Sequence, residues 1–228
     1  MNNPNGFMGR LYQGVEFLYH LLFLNVLWLA FTLLGGIVLG FGPSTVALYA
    51  VTRKWIQKEI GTDKDIFLTY WTTFKKEFIA GNIIGWSTLI VFYMLLVNYR
   101  FTNLRTGSVF AFVNAGTIVM AGILSILSAY LIPLYVHYRL KWKDYLTKAL
   151  ILSFIQPLPT LLIVFWLVLV AFLTWRLFPF SLLVSMSGLA YGLMGICYSS
   201  FMRNEFLLED KEKQKSKHYY SDYKGEKK

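Results

Sequence analysis

The stretch GFGPSTVALYAVTRKW, at residues 40–55, decides the fold predicted from this sequence. It follows a long apolar run, turns at a Gly-Pro pair and restarts as a helix, because proline suits the first turn of a helix. The helix ends in a basic and aromatic group, Arg53, Lys54 and Trp55. Such groups are typical of the cytoplasmic edge of a membrane. The stretch therefore predicts a membrane exit followed by a cytoplasmic anchor.

The composition of the 228 residues is that of a membrane protein. Hydrophobic residues make up 56% of the chain and charged residues 15%, against roughly 25% charged in soluble domains. The net charge of +10 does not indicate nucleic-acid binding, because the basic residues lie in the segments between apolar blocks. A single cysteine, Cys197, excludes a disulfide framework or a cysteine metal site within this chain.

The apolar blocks predict an all-α integral membrane protein with five transmembrane helices, since such blocks are too long for ordinary core helices. The predicted spans are 18–41, 82–97, 108–136, 150–173 and 178–201. Together they form one transmembrane domain over residues 1–202. The remaining segment, 203–228, is polar and rich in lysine, and its composition predicts a disordered cytoplasmic tail.

The distribution of lysine and arginine predicts the orientation of these spans. Eighteen of these residues fall in segments on the side of the C-terminus and four in segments on the other side. Cytoplasmic loops carry the excess of positive charge in membrane proteins. The sequence therefore predicts that the N-terminus lies outside and the C-terminus inside.

Amphipathic helices are predicted in the cytoplasmic loops. After a capping Thr62, apolar residues recur at three- and four-residue spacing, which is typical of an amphipathic helix. These residues are Ile66, Phe67, Tyr70, Trp71, Phe74 and Phe78. Such a helix lies either in the membrane interface or against the protein's own spans. A second helix, at 146–155, is predicted to end where Pro157 and Pro159 interrupt the fourth span.

A weak internal repeat relates two parts of the chain. Residues 53–55 resemble 140–142, and each group follows a proline, Pro43 or Pro133. The apolar run at 88–93 also resembles the run at 160–166. Two interpretations remain open: a parallel repeat of the kind found in transporters, or chance similarity between apolar segments.

The candidate functional residues are few. No phosphate-binding loop, HExxH motif or histidine cluster occurs in the sequence, so we expect no cofactor, no metal and no enzymatic activity. Glu16 and His20 are four residues apart and so share a helix face. They either line a cavity at the outer membrane edge or form an interfacial hydrogen-bonded pair.

Pairs of glycines four residues apart allow two helices to approach closely in lipid. The pairs Gly36 with Gly40 and Gly188 with Gly192 have this spacing, as do two glycines at the start of the second span. These pairs either hold the protein's own bundle together or contact a partner. The pair on the last span is the better candidate for a partner interface.

Several stretches resemble the YesL family of small bacterial multi-pass membrane proteins, classed as a domain of unknown function. They are the stretch quoted first, FKKEF at 74–78, AYLIPLYVHYRLKW at 129–142 and LTKALILSFIQPLPTLL at 146–162. The resemblance covers about residues 5–200 and carries no catalytic residues. It implies a bacterial cell membrane, and a context beside carbohydrate ABC importers and polysaccharide-degrading enzymes.

The resemblance implies a non-enzymatic accessory membrane subunit of a bacterial oligosaccharide ABC import system. The expected partners are membrane lipid and the permease subunits of the transporter. The alternative is a stand-alone small-solute transporter built on the internal repeat. The scarcity of polar residues within the predicted spans counts against this alternative.

Overall fold

The computed structural model describes the backbone of residues 7–138 and 140–225 and, Arg139 and Trp142 excepted, the side chains within 8–206. Over these residues the regular elements are all helical, which confirms the all-α class. The eight α-helices are α1 (Phe7–Leu34), α2 (Phe41–Ile56), α3 (Asp63–Lys76), α4 (Phe78–Asn103), α5 (Ser108–His137), α6 (Trp142–Ile155), α7 (Pro157–Arg176) and α8 (Ser185–Gly225). A short 3₁₀ turn, Phe180–Leu183, precedes α8.

Within the part of the chain that the structure describes, four helices are long and apolar enough to cross a membrane, namely α1, α4, α5 and α7. They correspond to the first four predicted spans, although α1 ends earlier than expected and α4 extends further, to Asn103. The fifth predicted span, 178–201, instead comprises the 3₁₀ turn and the first part of α8. That part of α8 is rich in serine, glycine and tyrosine, which makes it less apolar than the other four.

The chain reverses direction after α1. Gly36 and Ile37 both have positive φ angles, of 73° and 65°, and a side chain at Gly40 would lie 2.2 Å from the backbone oxygen of Thr32. Only glycine tolerates so close an approach. These residues therefore form a tight turn between two helices, which corrects the prediction that Gly36 and Gly40 pair helices within a span ending at residue 41.

Helix α2 returns antiparallel to α1 and lies inside the bundle. The indole of Trp28 donates to the Thr45 hydroxyl (3.1 Å) near the turn. At the far end of α2, Trp55 stacks on Phe17 and His20, with ring centroids 5.4 and 5.3 Å apart. Ten of the sixteen residues of α2 are buried. The stretch predicted as a peripheral cytoplasmic helix is thus the central helix of the fold.

One end of the bundle, called here the basic end, collects the start of α1 and the ends of α2, α5 and α8. Phe17 of α1 packs on Tyr191 of α8 (4.9 Å), while Asn25, two turns further along α1, bonds to the residues at the start of α8. Helices α1 and α8 are therefore antiparallel. The predicted topology, with the two chain ends on opposite sides, did not count the return pass that α2 adds, and it is not confirmed.

Helix α3 packs one face against the protein's own helices. Of the two environments predicted for its apolar face, the membrane interface and the protein's own spans, this face occupies the second. Ile66, Tyr70 and Phe74 are buried. The Tyr70 and Phe74 rings contact Phe31 of α1, and the Tyr70 hydroxyl donates to the main-chain oxygen of Ser44 (2.7 Å). Phe67 and Leu68, on the neighbouring face, are exposed.

The last helix continues beyond the apolar region. Its backbone is helical through Gly225, whereas the sequence predicted a disordered tail from residue 203. Glutamate, glutamine and lysine have high helix propensity, and no glycine or proline interrupts the segment before Gly225. Residues 226–228 of the predicted tail lie outside the described residues.

Two successive parts of the chain share one order of elements. Helices α2, α3 and α4, called the first unit, run toward the basic end, turn through a short helix and run away from it. Helices α5, α6 and α7, called the second unit, repeat this order, and both short helices contain 14 residues. In each unit a single residue, Glu77 or Gln156, separates the short helix from the long one. The predicted repeat began instead with the first apolar span, here α1, and it equated two prolines that differ in place, since Pro43 lies in the first turn of α2 and Pro133 near the end of α5.

Candidate functional site

A large cavity lies in the seam where α2 and α4 of the first unit face the second unit and α8. Its volume is about 730 Å³, and none of the described residues that line it is charged. The lining is mostly aliphatic and aromatic, and includes Val46, Ile84, Phe92, Ile126, Val168 and Leu189. We call this space the apolar cavity.

The serine and threonine hydroxyls in its lining are already bonded to the protein's own backbone. Thr45, Thr88 and Ser125 each donate to the carbonyl four residues earlier, at 2.7–2.8 Å. Ser128 likewise donates to the carbonyl of Ser125 at 2.9 Å. The apolar cavity therefore presents carbon surface, even at its serine and threonine residues.

A second cavity of about 500 Å³ lies in the same seam, nearer the basic end. Val46 lines both cavities. The lining of this second space, called the polar cavity, includes Thr73, Lys76, Glu77, Tyr135 and Tyr145. It therefore combines a positive charge, a negative charge and phenol groups.

The single residue between the short and the long helix of each unit, Glu77 or Gln156, is called here the joint. Each joint bonds to the helix that follows its unit. Glu77 accepts a short hydrogen bond from the Tyr135 hydroxyl of α5. Gln156 donates to the side-chain oxygen of Asn204 on α8 (2.6 Å) and accepts from the Ser200 hydroxyl. The two joints therefore occupy equivalent places in the two units.

The basic end also contains a polar cluster between α2, α5 and α8. Arg53 donates to the carbonyl of Val136 (2.8 Å), and His137 lies 3.5 Å from the carboxylate of Glu205. Burial raises the pKa of the Tyr138 phenol, and its hydrogen bond to the Glu205 carboxylate raises that pKa further. These contacts fasten the ends of three helices to one another.

The predicted anchor residues lie partly inside this end of the bundle. Arg53, Lys54 and Trp55 are half-buried. The Trp55 ring contacts aromatic rings of α1 and α8, and Arg53 caps the end of α5. For these two side chains the structure shows contacts between helices, which the sequence prediction of a lipid anchor did not include.

Glu16 and His20 are close, but their side chains are not joined. The imidazole Nδ1–H of His20 donates to the main-chain carbonyl of Glu16 (2.8 Å), and the Glu16 side chain is exposed. His20 is only 8% exposed because Trp55 stacks on it. This is a hydrogen-bonded helix turn at the basic end, whereas the prediction placed the pair at the outer membrane edge.

The glycine pair on α8 has two different environments. A side chain at Gly192 would lie 2.0 Å from the Trp166 indole of α7, so Gly192 serves packing inside the bundle. Gly188 has open space around it, apart from Val184 at 4.0 Å, and lines a cleft of about 400 Å³ between α1, α7 and α8. Of the pair, Gly188 alone keeps room for a partner.

A close backbone approach between α2 and α4 involves residues that the sequence analysis did not rank as a site. A side chain at Gly42 would lie 2.3 Å from the Gly81 carbonyl oxygen, and one at Gly81 would lie 2.7 Å from Pro43 Cα. Gly85 also faces Gly42, at 3.1 Å. The four-residue spacing of Gly81 and Gly85 was a visible signal, but nothing in the sequence identified Gly42 as their partner.

Comparison with other proteins identifies a family and several relatives. A sequence profile of the family described as "Protein of unknown function, DUF624" matches residues 21–99. "Uncharacterized protein YesV" of Bacillus subtilis (strain 168) is 39% identical over 151 residues, which cover 66% of this chain and 71% of the relative. "Uncharacterized protein YteU" of the same organism is 30% identical over 203 residues, 88% of this chain and 89% of the relative.

The chain belongs to the DUF624 family. "Uncharacterized protein YesL" of Bacillus subtilis (strain 168) is 31% identical over 144 residues, which cover 62% of this chain and 66% of that relative. The resemblance to the YesL family is therefore confirmed. No solved structure matches this DUF624 protein.

Proposed function

We propose that this DUF624 protein is a non-enzymatic accessory membrane subunit of a bacterial oligosaccharide ABC import system. It would bind the permease subunits within the cell membrane and leave the passage of sugar to them. The genomic context implied by the family resemblance supports the choice of system. The chemistry of the seam supports an accessory role.

The apolar cavity is the observation that carries this proposal. A sugar has many hydroxyl groups, and each needs a partner when it leaves water, because an unmatched buried polar group is costly. The serine and threonine hydroxyls that line the cavity donate to their own backbone, and none of its described lining residues is charged. Such a surface is a poor path for sugar and a good one for hydrocarbon.

The proposed membrane orientation places the basic end in the cytoplasm. The segments at the opposite end contribute Arg100, Arg105 and Arg176, whereas basic residues concentrate at the basic end, as cytoplasmic segments require. In this orientation α8 is the fifth crossing helix, and α2 returns the chain through the bundle. Both chain ends then face the cytoplasm.

Helix α6 is proposed to lie in the cytoplasmic interface of the membrane. Its outer face exposes Leu146, Leu150, Ile151, Phe154 and Ile155. Three lysines lie in or next to its first two turns, which suits a helix between anionic headgroups and acyl chains.

Recovery of the tagged protein from native membranes in mild detergent tests the proposal. We expect permease subunits in stoichiometric amount, and loss of oligosaccharide uptake when the gene is deleted while the transporter subunits remain present. Gly188→Leu should reduce permease recovery, whereas Gly195→Leu should not, because Gly195 also has open space but does not line the cleft. Normal uptake without co-purification would exclude the accessory role.

A stand-alone small-solute transporter is the second candidate. The matching order of the two units and the cavities between them favour it, since parallel repeats with a site at their interface occur in transporters. Purified protein in liposomes that moves solute without another subunit would establish this alternative.

A further inference from the structure

We propose that the seam between the two units is a binding site for one aminophospholipid. The acyl chains would occupy the apolar cavity, and the phosphoethanolamine headgroup would occupy the polar cavity. Both volumes, about 730 and 500 Å³, fall within the roughly 300–1,000 Å³ typical of ligand sites.

The two cavities follow the same three helices. On α2 the lining passes from Thr45 and Val46 to Ala50. On α4 it passes from Gly81 to the joint residue Glu77, and on α5 from Ile132 to Tyr135. All three progressions lead toward the basic end, so carbon surface gives way to polar surface along one path. An amphiphile with its headgroup at the basic end has the same gradient.

The charged residues of the polar cavity indicate which type of lipid headgroup it would bind. Lys76 and Glu77 both line it, yet among the described side chains the one ion pair joins His137 to Glu205. Neighbouring charges of opposite sign that do not pair with each other match a zwitterion. The ammonium of Lys76 would hold the phosphate, and the carboxylate of Glu77 would accept from the primary ammonium of ethanolamine.

This assignment predicts an order of affinities. Phosphatidylglycerol offers a phosphate to Lys76 but no cation to Glu77. Phosphatidylcholine has a quaternary ammonium, which cannot donate a hydrogen bond to the carboxylate. Phosphatidylethanolamine should therefore bind most tightly of the three.

Native mass spectrometry of the full, delipidated chain with each of these lipids at equal concentration tests the proposal. We expect one phosphatidylethanolamine per chain, bound about tenfold more weakly after Lys76→Ala, because a charge-assisted hydrogen bond is lost. Lys75→Ala is the matched control, since Lys75 lies over the Trp71 ring (4.6 Å) and does not line the cavity.

A second pair of variants tests the acyl part of the site independently. Gly122 lines the apolar cavity and has no atom within 4 Å of an added side chain, so Gly122→Leu should fill the cavity and reduce lipid binding severalfold. Gly116→Leu, on the same helix and equally unobstructed, should leave binding unchanged.

Three results would overturn the proposal. Equal binding of the three lipids, unaffected by Lys76→Ala, would show annular lipid only. Preference for phosphatidylglycerol would show an anionic headgroup site instead of a zwitterionic one. Unchanged binding in Gly122→Leu, with the melting temperature of the wild type, would show that acyl chains do not enter the cavity.

Discussion

The first and second units have the same order of helices but are held together by different contacts. In the first unit, the backbones of α2 and α4 meet at Gly42, Pro43 and Gly81 with no side chain between them. In the second unit, α5 and α7 are linked by a hydrogen bond between the Tyr130 and Thr160 hydroxyls (3.0 Å), and α7 packs its Trp166 into α8.

This difference in contacts gives two units with the same order of helices different freedom to adjust. Where two helix backbones are in direct contact, no side chain lies between them that could change its rotamer to admit a movement of one helix against the other. Contacts through side chains can adjust by rotamer changes. The first unit therefore acts as the rigid half of the seam, while the second supplies an adjustable wall.

The largest expected effect comes from breaking the backbone contact in the first unit. Gly81→Ala places a methyl group 2.7 Å from Pro43 Cα, which the backbone cannot avoid. We expect destabilisation of about 3 kcal/mol or more, or failure to fold, measured by thermal unfolding in detergent. In Gly116→Ala, where the space is open, a change of less than about 1 kcal/mol is expected. Equal losses in both variants would contradict the account.

Disturbing the contact between α7 of the second unit and α8 should cost less. Gly192→Ala meets the Trp166 indole at 2.0 Å, but a side chain can move aside, so we expect about 1–3 kcal/mol. The control is Gly195→Ala on the same helix, which has open space. A loss larger than that of Gly81→Ala would reverse the assignment of rigid and adjustable halves.

The joints provide a third comparison. Gln156→Ala removes bonds to Asn204 and Ser200, and we expect destabilisation of about 1–2 kcal/mol. A double-mutant cycle with Asn204→Ala should show coupling, because the two side chains bond directly. At the first joint, Tyr135→Phe removes the hydrogen bond that the hydroxyl donates to Glu77, and we expect destabilisation of about 1 kcal/mol or more. Additive effects of the Gln156 and Asn204 substitutions would contradict a shared bond.

The smallest effect concerns the starts of the short helices. Thr62 caps α3 by accepting from the backbone N–H of Asp65 (3.2 Å), whereas Lys141 at the start of α6 makes no such bond. Thr62→Ala should therefore cost about 1 kcal/mol, and Lys141→Thr should stabilise by about half as much. Stabilisation by Thr62→Ala would show that the cap is not formed.

Local features were predictable from the sequence because they depend on neighbours in the chain. The cap at Thr62, the apolar spacing on α3 and the break at Pro157 all appear where the sequence placed them. The return of α2 was not predictable, since a helix ending in Arg53, Lys54 and Trp55 reads equally as a peripheral anchor. The contact between Gly42 and Gly81 and the pairing of Glu77 with Tyr135 depend on that return.

The difference between the predicted and the observed course of the chain has the same origin. The count of basic residues fixes the sides of the loops, but Arg10 alone carries too little information to place the N-terminus. A turn at Gly36 and Gly40 also has the same composition as a glycine pair within a helix. One uncounted return pass therefore brings the start of α1 and the end of α2 to the same end of the bundle.

The most direct test of the account is cysteine labelling in intact cells, because the central claim places both chain ends at the basic, cytoplasmic end. In a Cys197→Ala background, Met8→Cys, Lys58→Cys and Leu104→Cys all introduce thiols at exposed positions. We predict that an impermeant maleimide labels position 104 in intact cells, and positions 8 and 58 only after permeabilisation. Labelling of position 8 in intact cells, with position 58 still protected, would contradict the return of α2 and the shared end of the two termini.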